Sequence, residues 1–237
     1  MNGPFLLPLF LGIATSILFL SSIIGFFLEH HAIALWSFFF GLILASSILI
    51  CKDVKQWSVT TAVGLIIGGL SSFLISFLSP AEATEALPYL FLCGILMIMT
   101  MILPGISGAF ILVLLGAYET ALETVELVRS FRTQGFLNLI AFGLGAIIGL
   151  KLFAHWVGRL YLNYRDTLLA TMSGFMLGSL YKVWPWKQLV TTGNDVQIAV
   201  IPPLKFNNSE LWIGIGFALI GSLVIYTFYK ISQSKKQ

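Results

Sequence analysis

The residues best placed to do chemistry lie in one apolar stretch, from Met101 to Phe110. Its centre contains Pro104, Gly105, Ser107 and Gly108. Proline and glycine break a helix, because proline lacks an N–H group and clashes with the preceding turn, and glycine is conformationally free. Ser107 is a preferred residue type for starting a new helix. Inside a membrane such a break is tolerated only where it is buried in protein or lines a watery cavity.

A helix that starts after Ser107 has an unpaired amide at each of its first residues, Gly108, Ala109 and Phe110. A helix N-terminus carries about half a positive charge, which favours phosphate and carboxylate groups. The pattern therefore predicts an anion site near the middle of the membrane. The predicted binding residues are Pro104, Gly105, Ser107, Gly108 and Ala109. The alternative is an ordinary kinked span without a ligand.

Two basic residues and one acidic residue complete the predicted site. Arg159 ends a glycine-rich apolar segment beside a short loop, and Lys151 lies one or two turns deeper on that segment. Arginine binds phosphate in a bidentate manner, and a lysine inside a membrane is a functional candidate. For both, the alternative is a side chain that extends to the interface. Glu119 follows the second half-helix and is either a proton carrier coupled to transport or an interfacial carboxylate.

The composition is that of an integral membrane protein. Of the 237 residues, 58% are hydrophobic and only 10% are charged, and the mean hydropathy is +0.95. A net charge of +3 spread over loops argues against a nucleic-acid partner. Cys51 and Cys93 lie far apart without metal-ligand spacing, so we predict reduced packing residues and no metal or cofactor. The sequence shows no acidic metal-binding pair and no activated nucleophile, which argues against an enzyme.

The hydropathy pattern predicts an all-α polytopic fold with about six transmembrane helices and one broken hairpin. Pro88 to Ala117 would extend about 45 Å as one helix, whereas a hydrocarbon core is about 30 Å thick. The run is too long for one straight span and too short for two, so we predict a re-entrant hairpin over 88–118. The predicted spans are 5–28, 32–50, 58–78, 135–157, 168–184 and 211–229, with an amphipathic segment over 119–134 and a short extended segment over 196–200.

An internal repeat is also predicted within this single membrane domain, 1–237. Phe5 aligns with Phe136, and the segment Gly41–Ser46 aligns with Gly174–Ser179. The first pseudo-repeat covers 5–78, and the second covers 88–231 with the hairpin in front. Three crossings per half make the halves inverted, which is a transporter architecture. The hairpin expected before the first half is missing, and the basic loop residues do not decide the absolute orientation.

Several motifs resemble the polyprenyl-phosphate transporter family over nearly the whole chain. They are Met101-Ile102-Leu103-Pro104-Gly105-Ile106-Ser107-Gly108, Leu115-Gly116-Ala117-Tyr118-Glu119, Gly174-Phe175-Met176-Leu177-Gly178-Ser179-Leu180 and Trp184-Pro185-Trp186. The resemblance implies a multi-pass protein of the bacterial cytoplasmic membrane that flips or recycles undecaprenyl phosphate for cell-envelope synthesis. The lipid phosphate would be held at the broken helix, 104–110.

Family members usually carry a first Pro-Gly-Val-Ser-Gly hairpin near the N-terminus, and this chain begins after that place. The difference leaves open a shortened member, a misplaced start, or a homo-oligomer or second chain that completes the site. It also keeps two other functions open. One is a non-transporting membrane subunit or scaffold, and the other is a secondary transporter of another anion.

Overall fold

The computed structural model describes residues 8, 12, 15, 16 and 20, and residues 23–234 except 79, 83, 85, 193, 194 and 201–207. Side chains are described for these residues except within 188–208. The helices are α1 over 23–30, α2 Ala32–Lys52, α3 Val59–Ile75, α4 Leu87–Ile102, α5 Gly108–Leu114, α6 Tyr118–Arg129, α7 Thr133–Asn163, α8 Arg165–Ser179 and α9 Asn208–Ser234. Strands β1 (Lys187–Thr192) and β2 (Asp195–Val200) form an antiparallel hairpin. The predicted helical class is confirmed, and the predicted extended segment over 196–200 lies in β2.

Helix length and apolarity confirm the membrane class of the protein. Within the described part of the chain, α2, α7 and the Ser209–Ser234 part of α9 are long and apolar enough to cross a bilayer. Helices α3 and α4 are apolar but shorter. Most of the predicted first span, 5–28, lies outside the described residues, so the count of about six spans stays a prediction.

One predicted element is corrected by the structure. The amphipathic segment expected over 119–134 is interrupted, because α6 ends at Arg129 and α7 begins at Thr133. Phe131, between them, has a φ of 52°, in the left-handed region. The chain therefore reverses there, and a Cβ added at Gly135 would lie 2.7 Å from the backbone nitrogen of Val128. Helices α6 and α7 thus form their own helical hairpin.

The chain divides into two compact units. Unit 1 comprises Met1–Ala45 and Val183–Gln237, and unit 2 comprises Ser46–Lys182. In unit 1 the first part of α2 packs on α9. In unit 2, α3 packs on α8 and α4 packs on α7. The predicted pseudo-repeats, 5–78 and 88–231, divide the chain differently and stay a prediction.

Glycines set the contact between α3 and α8 in unit 2. A Cβ added at Gly68 would touch the backbone of Thr171 and Phe175, and a Cβ added at Gly174 would touch the carbonyl oxygen of Leu65. Small residues of this kind let two membrane helices approach backbone to backbone. The two helices run parallel, since later residues of α3 meet later residues of α8.

Unit 1 contains a helix pair with the same contacts. A Cβ added at Gly221 of α9 would touch the backbone of Phe38 and Leu42, and a Cβ added at Gly41 would touch the carbonyl oxygen of Ala218. The hydroxyl of Ser222 donates to the carbonyl oxygen of Gly41 at 3.2 Å. Helices α2 and α9 are also parallel.

The contacts of the two pairs correspond residue by residue. Under the predicted pairing of Gly41 with Gly174, the two α2 residues that Gly221 approaches fall on the two α8 residues that Gly68 approaches. Helix α2 thus corresponds to α8, and α9 to α3. A duplicated segment would give such matched pairs, so the contacts support the repeat. The inverted orientation of its halves stays a prediction.

Helix α7 lies parallel to α4 in the remaining packing of unit 2. A Cβ added at Gly149 would lie 2.9 Å from the Cα and the carbonyl oxygen of Ile95, and one added at Gly145 would touch the carbonyl oxygen of Phe91. The face of α7 that carries Gly145 and Gly149 therefore meets α4. Residues on the opposite face of α7 point away from α4.

Candidate functional site

The predicted helix break is present between α4 and α5. Helix α4 ends at Ile102, α5 begins at Gly108, and we call the segment Leu103–Ser107 between them the break. Ser107 occupies the N-cap position of α5 with extended backbone angles, φ −86° and ψ 130°, but its side chain makes no capping hydrogen bond. The first bond of the new helix runs from the Ile111 N–H to the Ser107 carbonyl at 3.1 Å. The three amides ahead of that bond have no partner within the helix.

Helix α5 folds back along α4. A Cβ added at Gly108, the first residue of α5, would lie 2.8 Å from the carbonyl oxygen of Met97. At the opposite end the hydroxyl of Tyr89 donates to the carbonyl oxygen of Leu115 at 2.5 Å. One straight helix would hold Tyr89 and Leu115 roughly 39 Å apart. The run 88–118 is therefore an antiparallel hairpin, whose re-entry into a membrane stays a prediction.

The two arms of the hairpin share a small apolar core. Leu90, Cys93, Leu112 and Ala117 are buried together, and Tyr89 is among the side chains packed against them. Cys93 is a free thiol with an exposed fraction of 1%. It fills space inside the hairpin, in the packing role predicted from the sequence.

The break rests on the last turns of α8. Gly105 has a φ of 99°, and a Cβ added to it would lie 2.9 Å from both the carbonyl oxygen of Phe175 and Oγ of Ser179. A side chain at position 105 would meet strain and a close contact together, which explains the glycine. Two of the motifs that carry the family resemblance, at Pro104–Gly108 and Gly174–Leu180, thus lie against each other.

A cation outside the predicted site residues lies at the first turn of α5. Lys182 is exposed in the turn after α8, and its backbone N–H donates to the carbonyl oxygen of Ser179 at 2.9 Å. Its ammonium group lies over the ring of Phe110, the third residue of α5. Cations are attracted to the face of an aromatic ring. The position of Lys182 directly after the Gly174–Leu180 motif is the signal that could have identified it.

Lys151 and Arg159 are both exposed on α7. Lys151 lies two residues beyond Gly149, which faces α4, and is therefore about 200° round the helix from it. Among the residues that the structure describes, neither side chain makes an ion pair or a hydrogen bond. The glycine face of α7 turns Lys151 away from α4, so the fold does not bring it to the break. A role for either residue stays a prediction.

Glu119 lies at the other end of the hairpin from the break. It stands in the first turn of α6, and the seven residues of α5 separate the two places by roughly 10 Å. Glu119 lines a cavity of about 290 Å³ where the Ala81 N–H donates to the carbonyl oxygen of Leu114 at 2.8 Å. The cavity is lined by Pro80, Ala81, Val113, Gly116, Tyr118 and Glu119. The fold thus separates the proton-carrier candidate from the predicted anion site.

The fourth motif, Trp184-Pro185-Trp186, belongs to unit 1. The rings of Trp184 and Trp186 meet edge to face with centroids 5.5 Å apart, and Trp184 meets Phe40 at the same distance. Trp186 is buried, with an exposed fraction of 9%. The two tryptophans thus form an aromatic cluster with Phe40 of α2.

Comparison with known proteins agrees with the motifs. A family profile described as undecaprenyl phosphate translocase-like matches residues 1–200. A polyprenyl-phosphate transporter of Vibrio cholerae is 38% identical over 208 residues, which cover 88% of this chain and 66% of that protein. A polyprenyl-phosphate transporter of Staphylococcus aureus is 26% identical over 193 residues, covering 76% of this chain and 68% of that protein. The chain spans about two thirds of the length of these relatives, and no solved structure matches it.

Proposed function

Because this chain belongs to the undecaprenyl phosphate translocase-like family, we propose that it carries a polyprenyl phosphate across the bacterial cytoplasmic membrane. The substrate would be undecaprenyl phosphate, recycled for cell-envelope synthesis, and the process would be transport without catalysis. The membrane-protein fold and the broken hairpin are consistent with this function. A second copy of the chain, or another chain that adds a further hairpin, belongs to the same proposal.

The observation that carries the proposal is the meeting of three elements at the break. The unpaired first-turn amides of α5, the end of α8 and the ammonium group of Lys182 lie together in unit 2. Ser107 and Ala109 are exposed beside the buried Gly108, so this end of α5 is accessible. An anion bound there would meet backbone donors and one positive charge.

This arrangement suits a lipid phosphate. The phosphate group is small and anionic, so backbone amides and a lysine ammonium can each bind its oxygens. The isoprenoid tail is apolar and can remain in the bilayer. We assign Lys182 as the cation of the site, since the fold places it at Phe110. Arg159 and Lys151 remain as the cations predicted from the sequence.

Glu119 is proposed as a coupling residue rather than a substrate contact. Glu119 lines the cavity at the end of the hairpin opposite the break, next to Tyr118. Transport that depends on proton uptake should therefore lose its pH dependence in Glu119→Gln while substrate binding remains.

The test of the site is binding of a short-chain polyprenyl phosphate to the purified protein in neutral-lipid nanodiscs. We expect Lys182→Gln to weaken binding about tenfold or more, because a hydrogen bond to a charged group contributes about 1.5–3 kcal/mol. Lys55→Gln is the matched control, since Lys55 is an exposed lysine in the loop before α3. Lys151→Gln and Arg159→Gln test the cations predicted from the sequence.

The outcomes separate the alternatives. Loss of binding in Arg159→Gln or Lys151→Gln, with normal binding in Lys182→Gln, would show that the phosphate binds at a cation other than Lys182. Binding of inorganic phosphate but not of the lipid would indicate a transporter of another anion. A folded protein that binds neither would contradict the proposal and favour a non-transporting membrane subunit.

A further inference from the structure

Two buried polar atoms in unit 1 lack a hydrogen-bond partner. They are Oγ of Ser37 on α2 and Nε1 of Trp186, the only such side-chain atoms in the described part of the chain. Ser37 has no exposed surface, and Trp186 has an exposed fraction of 9%. Leaving a buried polar group without a partner costs about 1–3 kcal/mol, so such a group usually binds a ligand or an ordered water.

The two atoms lie around the same residue of α9. A Cβ added at Gly214 would lie 3.1 Å from Oγ of Ser37 and 2.7 Å from Cζ2 of Trp186. Cζ2 is on the edge of the indole that also carries Nε1. Only glycine leaves room there for the indole, so the fold holds both polar groups at one crossing of α2 and α9. This location is independent of the helix break in unit 2.

The chemistry of the two groups selects an acceptor. An indole N–H can only donate, and a serine hydroxyl can donate as well. Lys187 directly follows Trp186, and its ammonium nitrogen lies 4.5 Å from the ring centroid of Trp36, the residue before Ser37. Burial lowers the pKa of Lys187 below its ordinary value. The two donors are each next in sequence to a residue of the Lys187–Trp36 contact, and together with that cation they favour a ligand with anionic oxygens.

The crossing lies toward one end of the two helices. Ser37 lies five residues after the start of α2 and Gly214 lies six residues after the start of α9, which is roughly 8–9 Å along each helix. Both helices are long enough to span a bilayer and run parallel, so the crossing is near one end of both. The headgroup region of one leaflet lies beyond that end of the helices, and a phosphate group would enter the crossing from there.

We propose that Ser37, Trp186 and Lys187 form a second phosphate-binding site, which takes either the phosphate of a lipid headgroup or free phosphate. The site does not depend on the proposed transport function. Glu210 lies one turn before Gly214 on the same face of α9 and opposes an anion there. The negative charge of Glu210 lowers the affinity of the site for phosphate below the affinity that the three donors alone would give.

The experiment uses the full chain labelled with 5-fluorotryptophan, observed by fluorine NMR in nanodiscs. The Trp186 resonance is assigned as the one missing from Trp186→Phe. In one arm, inorganic phosphate is titrated into neutral phosphatidylcholine nanodiscs at constant ionic strength. In the other arm, phosphatidic acid replaces part of the phosphatidylcholine and no free phosphate is present. The two arms distinguish the free ion from the headgroup.

We expect the Trp186 resonance to shift in a saturable way in at least one arm. Ser37→Ala and Lys187→Gln should each raise the half-saturating concentration about threefold to tenfold, as for loss of one hydrogen bond. Glu210→Gln should lower it. The resonance of Trp57, an exposed residue of unit 2, is the control and should stay in place.

Two results would overturn the proposal. One is a Trp186 resonance that shifts in neither arm, which would mean that the two donors bind only water. The other is a shift that survives both Ser37→Ala and Lys187→Gln, which would place the ligand elsewhere. If Ser37→Ala does not fold, Lys187→Gln decides alone, because Lys187 is only half-buried and is replaced with little change in packing.

Discussion

At the residue scale, Gly105 combines two requirements that only glycine meets. Its φ of 99° lies where side chains are strained, and its missing Cβ leaves room for the carbonyl oxygen of Phe175 and for Oγ of Ser179. The same turn carries Pro104, which cannot continue α4. Together the two residues end one helix and seat the break on α8. These two residues of the family motif are thus needed for the backbone conformation of the break, and the motif is also a candidate binding sequence.

We predict that Gly105→Ala destabilises the protein by roughly 1–3 kcal/mol, the usual cost of holding a non-glycine residue in such a conformation. The matched control is Gly143→Ala in α7, because a Cβ added at Gly143 meets no atom within 4 Å. That change should leave the thermal midpoint unchanged or raise it. Thermal unfolding of both variants in detergent is the measurement. Equal midpoints for the two would show that the break does not rest on α8 as described.

At the element scale, the hairpin of α4 and α5 is the feature that separates this fold from a simple bundle. At the end opposite the break, the Tyr89 hydroxyl donates to the carbonyl oxygen of Leu115, and the core between the arms includes Cys93. The break is the turn that joins the two arms. A second arm of seven residues is too short to cross a bilayer alone, and the re-entry of the hairpin stays our prediction.

This geometry predicts a proximity that a straight helix forbids. In a chain with Cys51 and Cys93 replaced by alanine, the pair Tyr89→Cys and Leu115→Cys should cross-link with a short thiol reagent. The pair Tyr89→Cys and Ser107→Cys should not, because α4 separates its two positions by about 20 Å. Gel mobility after cleavage at an engineered protease site in the break reports the cross-link. Absence of a cross-link between positions 89 and 115 in the folded protein would contradict the antiparallel hairpin.

At the scale of the whole molecule, the two units each contain one parallel helix pair with matching glycine contacts. Gly41 and Gly221 hold α2 to α9 in unit 1, and Gly174 and Gly68 hold α8 to α3 in unit 2. Unit 2 adds the hairpin and α7, and unit 1 adds the Trp186 cluster. Both pairs pack through glycines that let the two backbones approach. The hairpin in unit 2 and the Trp186 cluster in unit 1 each contain a separate candidate site.

The hairpin also sets which loops share a side of the membrane. If it is re-entrant, cysteines at Thr84 before α4 and at Glu123 in α6 should react with an impermeant maleimide from the same side of oriented proteoliposomes. A cysteine at Asn163, the end of the long α7, should react from the opposite side. All three residues are exposed. Labelling of the Thr84 and Glu123 positions from opposite sides would instead make the run 88–118 a single crossing.

The sequence by itself determined the membrane class, most helices and the position of the break. Apolar runs select helices because backbone polar groups must be satisfied within the bilayer, and Pro104 and Gly105 stop a helix for local steric reasons. The length of the run also predicted a hairpin. Where α6 ends was not predicted, because the turn at Phe131 follows from packing between α6 and α7.

Only the tertiary structure decided which side chains meet. Lys182 contacts Phe110 because the end of α8 packs against the break. The two residues are far apart in sequence, so no local pattern encodes their contact. The charge and depth of Lys151 predict a site residue, yet the glycine face of α7 points it away from α4. Trp186 and Ser37 meet only because α2 and α9 pack closely at Gly214. Charge and hydropathy are local properties of the chain, whereas the direction of a side chain depends on helix packing.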